Sequence, residues 1–188
     1  ARSCGRPVLG NEIDILGPDD SPLSSGEIGE VVVRGPNVMQ GYWNKPEQTA
    51  AVLVDGAYWT GDLGYMDEQG YVFLVDRSKD MIVTGGENVY CTEVEEALYQ
   101  HPAILEAAVF GVPDDKWGEA VWAVIVPREG SELEPAQVIE FCRERIAGYK
   151  VPKGIDVQLE PLPKSGPGKV LKRELRAPHW EGQERSVN

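Results

Sequence analysis

Hydrophobic and polar positions divide the chain into two stretches of different character. From about Gly5 to Asp76 the apolar residues come in short β-branched or aromatic runs, EIDIL, EVVVRG and YVFLVD, separated by turn clusters such as GPDDSPLSSGE and DEQG. Runs of this length, bounded by Gly, Pro, Asp and Ser, predict strands, because branched side chains fit a pleated surface and the bounding residues accept a reversed backbone. A helix is expected only around Pro46 to Leu53. Several short strands at this spacing predict a small barrel or sandwich.

Beyond Asp76 the pattern alternates between α and β. Thr92 and Glu95 stand at capping-box spacing at the start of TEVEEALYQ, where Val94, Ala97 and Leu98 make an apolar face and Pro102 closes the segment. ILEAAVFGV and EAVWAVIV read as strands. A second helix is expected from Pro135, a favoured first-turn residue, with Val138, Ile139, Cys142 and Ile146 on one side. The short strand IDVQL then leads into PKSGPGKVLKREL, a Gly/Pro/Ser loop that carries Lys169 at its tip and runs into a cationic helical stretch. The break in pattern coincides with the polar pentapeptide DRSKD, Asp76 to Asp80, which marks the domain boundary.

Composition narrows the class. The 188 residues are 41% apolar and 26% charged, ordinary for a globular protein. The longest apolar run, VWAVIV, is far short of the ~20 residues a membrane span needs, and the opening ARSCGRP lacks the apolar stretch of a secretory leader. Cys4, Cys91 and Cys142 are scattered, and with only His101 and His179 beside them neither a disulfide framework nor a metal site is expected. These features predict a cytoplasmic setting. The formal charge of −13 argues against nucleic acid as a partner. The charge is uneven, however: Arg143 to Arg176 holds nine Lys/Arg against four Asp/Glu, while the remainder holds nine against 27. Because salt screens distant charges over ~8–10 Å, that segment suits either a small polyanion or plain solvation.

Three stretches carry candidate chemistry. In YWTGDLG, Asp62 is expected at a strand-to-turn position after two aromatics, where a carboxylate can accept from a ribose diol or from its own backbone. In DRSKDMIVTGGENVY, Arg77 offers a planar donor fork for phosphate or ribose oxygens, with a surface ion pair to Asp76 or Asp80 as the ordinary alternative. Lys79 stands where a polar residue tolerates backbone rotation. Gly85 and Gly86 permit positive φ or close ligand approach, as would an ordinary loop before a helix. In the third stretch Lys169 fails the phosphate-loop pattern GxxxxGK[ST], because Pro163 replaces the first Gly and Val170 the Ser/Thr. What remains is a lysine on a mobile loop. In DDKWGE, Asp114 to Glu119, Trp117 reads as partly buried packing, and Lys150 and Lys153 of YKVPKG as solvated or phosphate-facing.

The order of these motifs is more telling than any one of them. GRPVLGNEIDIL, GEIGEVVVRGPNVMQGYWNKPEQT, YWTGD, DRSKDMIVTGGENVYCTEVE, PDDKWGE and PKSGPGKVLKREL together resemble the adenylate-forming (AMP-binding) superfamily. More closely they are similar to the C-terminal portion of an acyl-CoA synthetase of the fatty-acid or aryl-acid kind. The resemblance implies a mixed α+β fold. Residues 1–77 would form a β-rich subdomain, a distorted barrel at the end of a large N-terminal domain; 78–80 a hinge; 81–178 a compact α+β C-terminal lid; and 179–188 a tail. It implies an enzyme that joins a small carboxylic acid and ATP into an acyl-adenylate, then passes the acyl group to CoA. Asp62 would hold the ribose hydroxyls, Arg77 the ribose and phosphate, and Lys79 the hinge. Gly85, Gly86 and Glu87 would line the pantetheine tunnel, and catalytic Lys169 would meet the carboxylate and α-phosphate.

Two positions depart from the family pattern. Cys91 stands where Pro is usual, and Trp59 takes a basic or His position. The segments that bind ATP with magnesium, and the acid pocket, are expected upstream, so this chain is expected to need a preceding N-terminal portion and to be inactive alone. A domain that loads a carrier protein, and a non-catalytic nucleotide- or CoA-binding module, are the alternatives; the end of the chain nineteen residues after Lys169 favours free CoA over a carrier.

Overall fold

The computed structural model describes residues 3–182; of the expected tail, 179–188, the first residues close a 3-10 turn, Ala177–Trp180, and residues 183–188 lie outside the described residues. The chain forms two compact units, Ala1–Ser78 and Lys79–Asn188.

In the first unit, β1 (Glu12–Leu16), β2 (Gly29–Arg34), the short helix α1 (Pro46–Ala50), β3 (Leu53–Val54), β4 (Ala57–Met66) and β5 (Val72–Arg77) follow in order. The strands make one antiparallel sheet ordered β1-β2-β4-β3, with β5 also on β4, curled as a half-barrel. Alternation places Leu16, Val32 and Ala57 in a small core covered by Trp59. The backbone differs from expectation at YWTGDLG. Asp62 lies in the middle of the ten-residue β4 rather than at a turn. The stretch has no β-branched run, but β2 and β5 pair with it from both sides, and cross-strand pairing outweighs weak intrinsic propensity.

In the second unit a 3-10 turn at Ser78–Asp80, which begins at the boundary, leads to β6 (Ile82–Thr84), β7 (Glu87–Val89), α2 (Cys91–Tyr99), β8 (Ile104–Asp114), β9 (Gly118–Pro127), α3 (Pro135–Arg143), β10 (Gly154–Val157) and α4 (Lys172–Arg176). The sheet order is β10-β9-β6-β7, with β8 on β9. Only β10 runs parallel to its neighbour. Alternating residues of β8 and β9 feed two cores on opposite faces. Val109, Val121, Ala123 and Ile125 meet Val94 and Leu98 of α2 and Val138 and Cys142 of α3. On the other face Phe110, Val112, Val124 and Val126 meet Leu162, Val170 and Leu175.

Helix α2 starts one residue before Thr92. Tyr90 takes the cap position without a side-chain cap hydrogen bond, so Thr92 is inside the helix and not its cap. Glu95 is used elsewhere. Strand β8 is open on the side away from β9, and such an edge needs its polar groups covered. Tyr99 Oη bonds both N–H and C=O of Ala107 at 3.2 Å. Glu95 Oε1 accepts from Val109 N–H at 2.8 Å, and Trp180 Nε1–H donates to the Gly111 carbonyl at 3.0 Å. Helix α2 and the 3-10 turn Ala177–Trp180 therefore satisfy successive outward-facing residues of one edge.

Candidate functional site

Asp62 and Arg77 are directly opposite each other across β4 and β5. Arg77 Nε is 2.8 Å from Asp62 Oδ1, and the side chains remain 42% and 27% exposed, so both keep atoms free for a ligand. The ion pair of Arg77 is this cross-strand one and not the alternative with Asp76 or Asp80, while Asp76 Oδ1 accepts the backbone N–H of Arg77 at 2.8 Å. Local bonds fix the approach to Asp62. Thr60 Oγ1 donates to the Val31 carbonyl and accepts Asp62 N–H, and Glu30 accepts Gly61 N–H. A cleft of about 350 Å³ opens in the same unit, lined by Asn11, Val33, Asn37, Val38, Met39, Tyr42 and Tyr58. Its Tyr58 hydroxyl is pushed above its ordinary value, first by a hydrogen bond with Tyr42 and then by burial. Sequence reasoning missed this tyrosine pair, although GYW and AYW held its aromatics.

In the second unit Gly85 and Gly86 are the two central residues of the β6–β7 hairpin, with φ of 60° and 87°. Positive φ at both positions is the requirement of a type I′ turn, whose twist matches the flanking strands. They do not belong to a plain loop before α2. Gly85 N–H donates to the Trp117 carbonyl at 2.9 Å, and a Cβ on Gly85 would fall 2.7 Å from the Trp117 ring. Glu87 is exposed beside the turn, and Lys79 is exposed within the 3-10 turn. Trp117 is 42% exposed, its ring lying against Gly85 with the Lys116 and Lys153 amines 4.4 and 5.6 Å from its centroid. Cys91 donates its S–H to the Asp80 carbonyl at 2.9 Å. Burial pushes the Cys142 thiol up to about 11, which leaves it protonated and inert.

Lys169 sits on a hydrogen-bonded hairpin, not on a featureless loop. Lys164 and Val170 form an antiparallel bridge. Ser165 N–H donates to the Lys169 carbonyl, Gly168 N–H to that of Ser165 and Leu171 N–H to that of Pro163, each at 2.8 Å. The surrounding cations are mostly paired. Lys150 meets Glu93, Lys153 meets Asp114, Lys164 meets Glu106 and Lys172 meets Glu95, while Arg143 and Arg145 meet neighbouring glutamates. Lys169 is exposed and has no ion-pair partner among the described residues. The local cationic excess is therefore sorted, so that most of it is neutralised and the hairpin amine is left facing outward. Glu93, Glu95 and Glu106 were not read as partners from sequence, since they are 57 to 77 residues away from the lysines they meet. Among the described residues no group of His, Cys, Asp and Glu is placed to hold a metal ion, and no helix is long and apolar enough to cross a membrane.

The two units match two models of one enzyme family. Residues 1–43 match the AMP-binding enzyme model, and residues 93–169 match the AMP-binding enzyme C-terminal domain. The chain belongs to the AMP-binding, adenylate-forming enzyme family, and corresponds to the C-terminal portion of its acyl-CoA synthetases. It is 54% identical over 174 residues to a long-chain-fatty-acid–CoA ligase of Bacillus subtilis, covering 92% of this chain and 31% of that protein. It is 48% identical to a feruloyl-CoA synthase of Amycolatopsis, covering 93% and 35%. The solved o-succinylbenzoate CoA synthetase of Bacillus subtilis, in complex with its acyl-adenylate intermediate, superimposes with a TM-score of 0.84 at 36% identity, covering 99% and 36%. The chain thus spans about a third of the length of the curated relatives it matches.

Proposed function

We propose that the chain is the C-terminal part of an ATP-dependent acid:CoA ligase working in the cytoplasm. The whole enzyme activates a fatty or aryl acid as its adenylate and transfers the acyl group to CoA. An N-terminal portion supplies the acid pocket and most of the ATP and magnesium contacts. In this reading Asp62 accepts from the ribose hydroxyls and Arg77 donates to ribose and phosphate oxygens, while Lys79 is the hinge. Gly85, Gly86 and Glu87 border the channel for the pantetheine arm of CoA.

The observation that carries the reading is the outward amine of Lys169, the exposed cation of a hairpin whose flanking lysines are all ion-paired. Adenylation brings a carboxylate against a triphosphate and builds charge on the α-phosphoryl group. A compact cation delivered there stabilises the transition state, and loss of one such stabiliser typically costs ~10²–10³ in rate. An amine already held by a carboxylate would have to be stripped from it first. ATP–pyrophosphate exchange by the whole enzyme tests this: Lys169→Ala is expected to lose about 10²–10³ in rate, and near-normal exchange by that variant overturns the assignment. The chain by itself is expected to show no exchange. Supplying CoA or a carrier protein after adenylation then separates the ligase from a carrier-loading enzyme.

A further inference from the structure

We propose that Glu95 and Glu106 are positioning residues that clamp the two arms of the Lys169 hairpin, each by holding one flanking lysine. The proposal rests on the reading of Lys169 as the adenylation cation.

On the entry arm, Lys164 Nζ is ion-paired with Glu106 Oε1 on β8, and the second oxygen of that carboxylate accepts the backbone N–H of Leu162 at 2.9 Å. On the exit arm, Lys172 Nζ is 2.8 Å from Glu95 Oε1 on α2, in a pair whose side chains are only 16% and 17% exposed. Glu95 is itself fixed by the Val109 N–H of β8. Each carboxylate thus ties a hairpin arm to β8 through both a backbone amide and an amine. Between the two anchored lysines lies Lys169, five residues after the first and three before the second. Leu162, Val170 and Leu175 seat the same segment on the outer face of β8 and β9. Packing sets its depth, and the two charged contacts, directional and at opposite ends, set its register and tilt.

The clamp also solves a selection problem. Three lysines within nine residues would compete for any anion brought to the hairpin. Giving two of them a built-in carboxylate leaves one amine to answer it. Removing both anchors should release the hairpin geometry and add two competing cations.

The test uses Glu95→Gln and Glu106→Gln, alone and together, because glutamine keeps a carbonyl oxygen for the Val109 and Leu162 amides and removes only the charge. In this chain, the double variant is expected to exchange the Ser165 and Leu171 amides about tenfold faster, with the Val109 amide unchanged. Unchanged hairpin exchange overturns the clamp, and so does equal acceleration at Val109, which marks general loosening. In the whole enzyme the double variant is expected to lose about tenfold in adenylation while forming thioester from supplied acyl-adenylate at the normal rate. In a Lys169→Ala background it should cause no further loss, because groups acting through one residue are not additive. Equal loss in both half-reactions, or a full further loss without Lys169, overturns it. If Lys169→Ala adenylates normally, the ligase reading fails, and hydrogen exchange still decides whether the clamp exists.

Discussion

Glu119 sits at 2% exposure on β9, the most deeply buried carboxylate among the described residues. Its Oε2 accepts the Val83 N–H of β6 at 3.1 Å, and space for it depends on Gly111, where a Cβ would lie 2.8 Å from that oxygen. A buried polar group whose partner is removed exposes the full desolvation penalty of the group left behind. Glu119→Ala is therefore expected to lower the unfolding free energy by about 1–3 kcal/mol in urea titration, and Glu119→Gln by less. Only the position of Glu119 at the head of an apolar run hinted at this role. Glu106 adds a pH dependence. Its hydrogen bond from Lys164, opposed in part by burial, holds its carboxyl below the ordinary 4.5. A carboxyl depressed in the folded state stabilises the fold above the unfolded value and loses that contribution as pH falls through the folded value. Lys164→Met should therefore be less stable than the parent above about pH 4.5, and the two denaturation midpoints should converge as the solution is acidified below it.

At the scale of elements the β6–β7 hairpin shows backbone and side chain deciding together. Both turn glycines have positive φ, where an ordinary L-residue costs roughly 1–2 kcal/mol. A Cβ at Gly86 meets open space, but one at Gly85 strikes the Trp117 ring. Gly85→Ala should therefore destabilise more than Gly86→Ala in urea titration, and Trp117→Ala should recover the difference, though not the part due to φ. Equal losses at the two glycines would contradict this account. The strands β6 and β7 were hidden in the sequence because three-residue strands carry too little alternation to register. Strands β1, β2, β5, β8 and β9 were legible because their apolar residues alternate or run continuously between turn signals. The opposite held for Thr92, whose spacing to Glu95 matched a cap. Burial of the Val109 edge recruited Glu95 instead, since an unmet amide at a sheet edge costs more than one at an exposed helix end.

For the whole molecule, the two units differ in how much core they own. The first buries Leu16, Val32 and Ala57 as its cluster, whereas the second has two clusters on opposite faces of β8 and β9. Stability follows buried apolar area, so the second unit should survive separation better. Residues 79–188 expressed alone are expected to unfold in one cooperative urea transition, while residues 1–78 alone should show little or none. Comparable transitions from both pieces would refute the difference.

Much of the candidate site was written in local order: Asp62, Arg77, the glycine pair and Lys169 sit in short motifs whose sequence is itself the signal. Sequence alone also determined the two-part character of the chain, because hydrophobic period and turn residues act over a few neighbours. Tertiary structure alone decided which charges are spoken for. Lys164 and Lys172 look no different from Lys169 along the chain, and only the folding of β8 and α2 against the hairpin gives the first two a carboxylate each and leaves the third, among the described residues, without one. Ion pairing acts through space over a few ångströms, between residues whose separation along the chain carries no trace of it.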